Sequence, residues 1–382
     1  MHFGRRELSG AVADLGVLVP IAVALIVKNG LSPTAVLLPA GLLYVSVAFI
    51  YRLPVPVQPL KALGAIAIAK GLGSDEIAAA ALVLGAIFLV LGRAGALDLA
   101  ARAFPRALIR GVQLTVGLLF LKIAWGLVSD PPKSFEQFAM PPAWAVSLTA
   151  AGVVLAFALR RHPISLALVS AGAIIMLVRA GSDAAFGPSS ISFPSLDSAT
   201  FWTAFTVLVL PQLPLSFANS CLATADAARV YFGDEKAERV RPGRLASTLG
   251  TANLFSGAIS GMPVCHGAGG MTAHVAFGAR TGGAPLAIGA TLLTVAVGAG
   301  AGLAALLPAF PLPILAALLG TAGLLHLALL RDLRSAHAWA LALLVGIVGF
   351  EFNLAIAVGL GLALWWLGRG VVVLRGALSP SG

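Results

Sequence analysis

Two short stretches of this chain gather groups that suit a small tetrahedral anion. The first is Pro56-Val57-Gln58-Pro59-Leu60-Lys61, and the second is Met262-Pro263-Val264-Cys265-His266-Gly267-Ala268-Gly269-Gly270. Gln58, Lys61 and His266 offer side-chain donors, while Gly267, Ala268 and Gly269 would expose backbone amides with little side chain in the way, Cys265 beside them. A third set, Gln212, Ser216, Asn219 and Ser220, shares one face if residues 201–225 are helical. Neutral hydroxyls and amides donate hydrogen bonds to an oxyanion without a fixed charge that would hold it too tightly for release.

Three ionisable residues, Asp14, Lys61 and His266, fall inside apolar segments, where each costs roughly 2.5–3.5 kcal/mol on insertion scales unless it lines a cavity or finds a partner. Lys61 stands just inside a helix start, where its charge opposes the helix dipole. It suits an electropositive site for a dianion, an ion pair with Asp14 when the site is empty, or a side chain reaching back to the interface. Asp14 and His266 are the candidates for carrying a coupled proton. Cys221 and Cys265 both lie in apolar segments, so neither a disulfide framework nor a metal site is expected, and no cofactor is implied.

The elements that must hold these residues are membrane helices. With 59% hydrophobic and 10% charged residues and a mean hydropathy of +0.97, the chain cannot cover itself with a solvated surface. About 14 apolar segments recur, each bounded by Pro, Gly or charge. They fall at 10–28, 33–51, 60–72, 76–92, 107–127, 144–159 and 164–179, then at 201–225, 245–259, 267–279, 285–307, 312–330, 337–350 and 352–368. The third and tenth, at 60–72 and 267–279, are too short to cross alone. The N-terminus, Met1 to Glu7, is polar and shows no cleavage pattern, so no removable signal is expected.

The net charge of +10 comes from 25 lysines and arginines that fall mostly in alternate loops, which argues for membrane topology rather than nucleic-acid binding. Both termini are therefore expected in the cytoplasm, in a cell (inner) membrane. The halves also repeat. Leu18-Val19-Pro20 and then Leu53 to Pro59 precede the third span, and Leu210-Pro211-Gln212-Leu213-Pro214 and then Gly261 to Gly267 precede the tenth. Seven spans separate the copies, an odd number, so the second is inverted.

Pro fixes its own torsion and pushes the preceding residue toward extended geometry, so 54–58 and 262–265 are expected as short extended strands. Pairing with each other would satisfy their backbone groups within the membrane. Each would then hand over to a half-helix whose N-terminus, with about half a positive charge, faces the middle of the bilayer. The expected fold is an all-α polytopic membrane protein of two inverted seven-span repeats, with broken third and tenth spans behind those strands. An enzyme is not expected: His266 and His274 have no intramembrane carboxylate with which to complete a catalytic or metal constellation.

These residues resemble the molybdate transporters related to the sulfate permeases, whose members lack the cytoplasmic regulatory domain of typical sulfate permeases. The resemblance covers nearly the whole chain. It is carried by Glu7-Leu8-Ser9-Gly10-Ala11-Val12-Ala13-Asp14-Leu15-Gly16, by Pro56 to Ala62, and by Met262 to Gly270 with Phe277-Gly278-Ala279-Arg280. Departures are small: the family commonly has Gly where this chain has Ala13 and Met where it has Leu60.

The resemblance implies a core domain at 1–92 and 201–307 and a gate domain at 93–200 and 308–382, within one transporter unit, and a homodimer. Substrate would bind between spans 3 and 10, at Gln58, Lys61, Gln212, Ser216, Asn219 and the run Cys265 to Gly269, and alternating access would move it. Molybdate is the expected cargo; tungstate and sulfate are tetrahedral dianions that the sequence does not separate from it. A sulfate transporter is one alternative. A nucleobase permease of the same fold is another, but it would carry carboxylates in spans 8 and 10, where this chain has Gln212, Ser216, Asn219 and His266. The short tail after Arg369 leads to the expectation that transport is complete in the membrane part.

Overall fold

The computed structural model describes residues 1–11, 15–97, 104–159, 164–180 and 185–378. Its first half runs α1 (Arg5–Ala11), α2 (Leu15–Asn29), α3 (Pro33–Tyr51), β1 (Gln58–Pro59), α4 (Lys61–Lys70), α5 (Ser74–Ala94), α6 (Arg106–Ser129), α7 (Pro142–Ala158) and α8 (Ile164–Ala180). The second runs α9 (Ser198–Ala237), α10 (Pro242–Ala258), β2 (Val264–Cys265), α11 (Ala268–Ala276), α12 (Gly283–Gly298), α13 (Gly300–Leu306), α14 (Leu312–Ala328), α15 (Ala336–Val348) and α16 (Leu354–Leu378).

Among the described residues, six continuous helical stretches are long and apolar enough to cross a membrane, or seven with the bent pair α12 and α13 taken as one. The last of the six, Ala336–Gly368, doubles back on itself. A Cβ on Gly361 of α16 would lie 2.6 Å from Val345 of α15, which a straight helix would hold some 24 Å away. The reversal falls at the π-turn Gly349–Asn353, where the Asn353 carboxamide accepts the amides of Ala355 and Ile356 to start α16.

Tight helix pairs are built on glycine. Ideal Cβ atoms on Gly85 of α5 and Gly250 of α10 would stand 2.7 Å and 2.5 Å from the backbone nitrogens of Leu254 and Leu89, so no side chain fits at these contacts. In α3 and α12, Gly41 and Gly289 do the same. Gly117 of α6 and Gly323 of α14 meet reciprocally, each 2.8–2.9 Å from the other's carbonyl. Further packing joins α6 to α15 and α7 to α14. Exchanging the two halves turns α3–α12 into α10–α5, turns α6–α15 into α14–α7, and returns α6–α14 to itself.

Two extended pieces cross where these halves meet. β1 and β2 pair antiparallel with Gln58 opposite Cys265 and Pro59 opposite Val264, and Leu60 donates to the Pro263 carbonyl at 3.1 Å. Asn253 of α10 completes β2: its Oδ1 accepts the Val264 amide and its Nδ2 donates to the Val264 carbonyl, both at 2.8 Å. Buried backbone groups in a membrane thereby keep partners.

The first and last motifs that carry the family resemblance pack on one another. The buried Glu7 carboxylate accepts the amides of Arg280, Thr281 and Ala284, closing the turn that leads into α12. Gly10 lies so close to 274–279 that a Cβ there would fall 2.5 Å from the Ala279 nitrogen, and the Gly10 carbonyl accepts from His274 Nδ1 at 2.8 Å. Gly278 has a φ of +108° at this contact, which favours glycine.

Two elements differ from expectation. The expected span 285–307 is bent by 83° between α12 and α13, because the segment at 187–189 inserts there: Gly187 exchanges hydrogen bonds with Gly298 and Ala301, and Ser189 bonds Thr34. The expected helix 201–225 continues to Ala237, with a kink at Gly233 (φ 78°).

Candidate functional site

A cavity of about 520 Å³ opens where the two half-helices begin. β1 and β2 run in opposite directions, so α4 and α11 leave the crossing in opposite directions with their N-termini together. The first turn of α11 lines the cavity through Ala268, Gly269 and Gly270, whose amides have no intrahelical acceptor. The first turn of α4 contributes Lys61. Two helix N-termini thus place their partial positive charge on one volume.

The strand pair supplies side chains by alternation. Gln58 and its register partner Cys265 both line the cavity. Gln58 Oε1 accepts from Lys61 Nζ at 2.8 Å, which holds the ammonium over the opening of α4. Gly267 brings the backbone close to two site side chains: a Cβ there would sit 2.6 Å from Gln58 Oε1, displacing the carboxamide that holds Lys61, and 3.4 Å from Asn219 Nδ2.

α9 contributes the third wall. Pro211 and Pro214 remove backbone donors, and π-turns at Ala204–Val209 and Ser216–Ala223 flank them. This geometry brings Gln212, Asn219 and Ser220 to the cavity. Gln212 Oε1 accepts the Leu63 amide at 3.0 Å, capping α4 from the opposite half of the chain. Ser216 is fully buried behind it and accepts from Gln212 Nε2 at 3.1 Å, so it positions Gln212 without lining the cavity.

His266 does not join the lining. One residue past Cys265, it turns to the other side of the strand and is fully buried. Its Nδ1 stands 3.0 Å from the Pro56 carbonyl and its Nε2 3.0 Å from Thr248 Oγ1, which Tyr51 also bonds at 2.7 Å. A ring with both nitrogens engaged braces the strand crossing. Asp14 lies outside the described residues.

The remaining wall belongs to α6 and α14 and carries residues that sequence reasoning missed: Arg110, Gln113, Thr321 and His326. Arg110 donates Nε to Asp332 at 2.9 Å, Nη1 to Gln113 Oε1 at 2.6 Å and Nη2 to the second Asp332 oxygen. Arg106 joins the same carboxylate at 2.5 Å. Among the described residues that line the cavity, none is Asp or Glu; Lys61 and the helix termini face it, and the Arg110 charge is shared with Asp332. For Arg110 the available signal is its position three residues before Gln113, on one helical face.

Comparison with known proteins gives this geometry a context. The family profile described as "Molybdate transporter of MFS superfamily" matches residues 6–120 and 204–325. Molybdate transporter 1 of Arabidopsis thaliana is 28% identical over 371 residues, covering 86% of this chain and 80% of that one. Molybdate transporter 2 of the same plant is 28% identical over 408 residues, covering 94% and 86%. Among solved structures, the transmembrane domain of a cyanobacterial bicarbonate transporter, BicA, superposes with a TM-score of 0.67 at 17% identity, covering 94% of this chain and 98% of that one. Murine Solute Carrier 26 family member A9, an anion transporter in the inward-facing state, gives 0.69 at 16% identity, covering 98% and 70%. At these identities the two structures speak to the fold alone.

Proposed function

The chain belongs to the molybdate transporter family, and on that premise we propose that it is a secondary transporter of a tetrahedral oxyanion, molybdate first, which binds between the N-termini of α4 and α11. The observation that carries this reading is a cavity walled by two helix N-termini, by the Lys61 ammonium and by neutral amide donors, with no carboxylate among its described lining residues. A dianion in such a place meets convergent N–H groups and a positive potential. A neutral nucleobase, which would call for a carboxylate acceptor, finds none among those described residues.

The fold behind it is read as two inverted repeats of seven spans, supported by the exchange of helix pairs between halves. The core comprises 1–92 and 201–307 and the gate 93–200 and 308–382. The core supplies Gln58, Lys61, Gln212, Asn219, Cys265, Ala268 and Gly269, and gate helices supply the facing wall of Arg110, Gln113, Thr321 and His326. Movement of core against gate would expose the anion to the two sides in turn. The alternation of basic loops supports a reading in which both termini are cytoplasmic. Uptake of a dianion into a negative-inside cell is opposed by about 2.3 kcal/mol per charge per 100 mV, so it requires coupling or trapping.

Calorimetry of purified protein with molybdate, and with sulfate as competitor, tests the reading. Saturable molybdate binding that Gln58→Ala weakens is the expected result. Folded protein that binds neither oxyanion contradicts it, and displacement of molybdate by equimolar sulfate makes sulfate the cargo.

A further inference from the structure

The gate-side wall holds a titratable group for which the anion site has so far no use. His326, on α14, is nine-tenths buried and lines the cavity. Its Nδ1 lies 2.8 Å from the Ala322 carbonyl one turn back on the same helix. A carbonyl only accepts, so Nδ1 carries the hydrogen, and Nε2 of the neutral ring is an acceptor on the ring edge away from the helix. Phe120 stands edge-on at 5.7 Å and Gly117 gives the His326 Cβ its room, so α6 fixes the ring in this orientation.

The charged groups around it are few. From α4, Lys61 faces it across the cavity and acts on it electrostatically. From α6, Arg110 lines the same cavity with its charge shared with Asp332, which also holds Arg106. α6 also carries Lys122, over the Phe350 ring, and the turn after α14 carries Arg331 beside Asp332; α7 presents no titratable side chain, and Lys28 of α2 and Arg179 of α8 lie in the last turns of their helices. On α2's approach Asp14 lies outside the described residues.

We propose that His326 is an anion-linked protonation site: its Nε2 takes a proton from hydronium in the cavity water when the oxyanion binds and returns it to water when the anion leaves. In the empty cavity an imidazolium would repel the Lys61 ammonium. A dianion between them attracts both, so anion and proton each favour the binding of the other, and by linkage the effect is reciprocal. The proton forms one N–H bond and leaves hydronium as water, and no other bond changes. Each proton carried with the dianion removes one unit of the charge that opposes its entry. This inference rests on the anion site proposed above.

The test is calorimetry of molybdate binding in buffers of different ionisation enthalpy, between about pH 6 and 8, which counts protons taken up per anion. Wild-type protein is expected to take up a measurable fraction of a proton, up to about one, and its affinity to fall as pH rises by at most about tenfold per unit. His326→Gln, which keeps a donor toward the cavity, is expected to bind more weakly, with that uptake and that pH slope abolished. Wild-type binding with no proton uptake and a flat profile overturns the proposal without any variant. An unchanged uptake in His326→Gln overturns it equally. Absence of molybdate binding by folded wild-type protein is a different failure, that of the anion site itself.

Discussion

The first turns of α4 and α11 reach the same cavity from the two halves of the chain, yet they bring different chemistry. α4 opens with a fixed charge, Lys61, and one of its leading amides is already taken by Gln212. α11 opens with Ala268-Gly269-Gly270 and offers backbone amides alone. One half supplies charge held in register by Gln58 and Gln212; the other supplies close approach. A twofold frame need not make a symmetric site, and a dianion of four oxygens can use both kinds of donor at once.

The sharpest way to break this division is to remove the charge. Lys61→Met is expected to weaken molybdate binding by about 10- to 100-fold, because a charged hydrogen bond is worth about 1.5–3 kcal/mol. The salt dependence of binding should flatten with it. Equal affinity for the variant would assign the site to the helix termini alone. Next comes the close approach. Gly267→Ala places a methyl 2.6 Å from Gln58 Oε1 and is expected to cost about tenfold in affinity, overpacking being worth about 1–3 kcal/mol. Gly269→Ala is its control: a Cβ there meets nothing within 4 Å, so an empty cavity tolerates it and only a bound anion would feel it. A loss at Gly269 would show that the anion sits against that amide.

The smallest effect on affinity is expected at His266. His266→Ala deprives the Pro56 carbonyl and the Thr248 hydroxyl of a partner, at about 1–3 kcal/mol for a buried group. Thermal unfolding in detergent should therefore drop while the folded fraction still binds. Lost binding in a protein of normal stability would return His266 to the anion site.

Much of this arrangement was legible in the sequence. Pro56-Val57-Gln58-Pro59 and Met262-Pro263-Val264 announce broken spans because proline constrains its neighbours wherever it stands, and Gln58, Lys61, Gln212, Asn219 and Cys265 do meet. His266 was misread as a lining residue although strand alternation separates it from Cys265. A two-residue strand gives no periodic pattern from which to choose the face. Arg110, Gln113, Thr321 and His326 were missed because they enter the site from α6 and α14 by tertiary packing, on helices whose apolar faces surround them. The bend at Ala299 was invisible for the same reason: a segment distant in the chain, 187–189, causes it.

The most direct measurement is the position of a heavy oxyanion: crystals grown with tungstate, a tetrahedral dianion whose metal is located by its anomalous signal. The expected peak lies in the cavity, within hydrogen-bond reach of the Ala268 and Gly269 amides and of Lys61 Nζ. A peak confined to the basic cleft of Arg229, Arg239 and Arg241, with the cavity between the half-helices empty at saturating tungstate, would contradict the account.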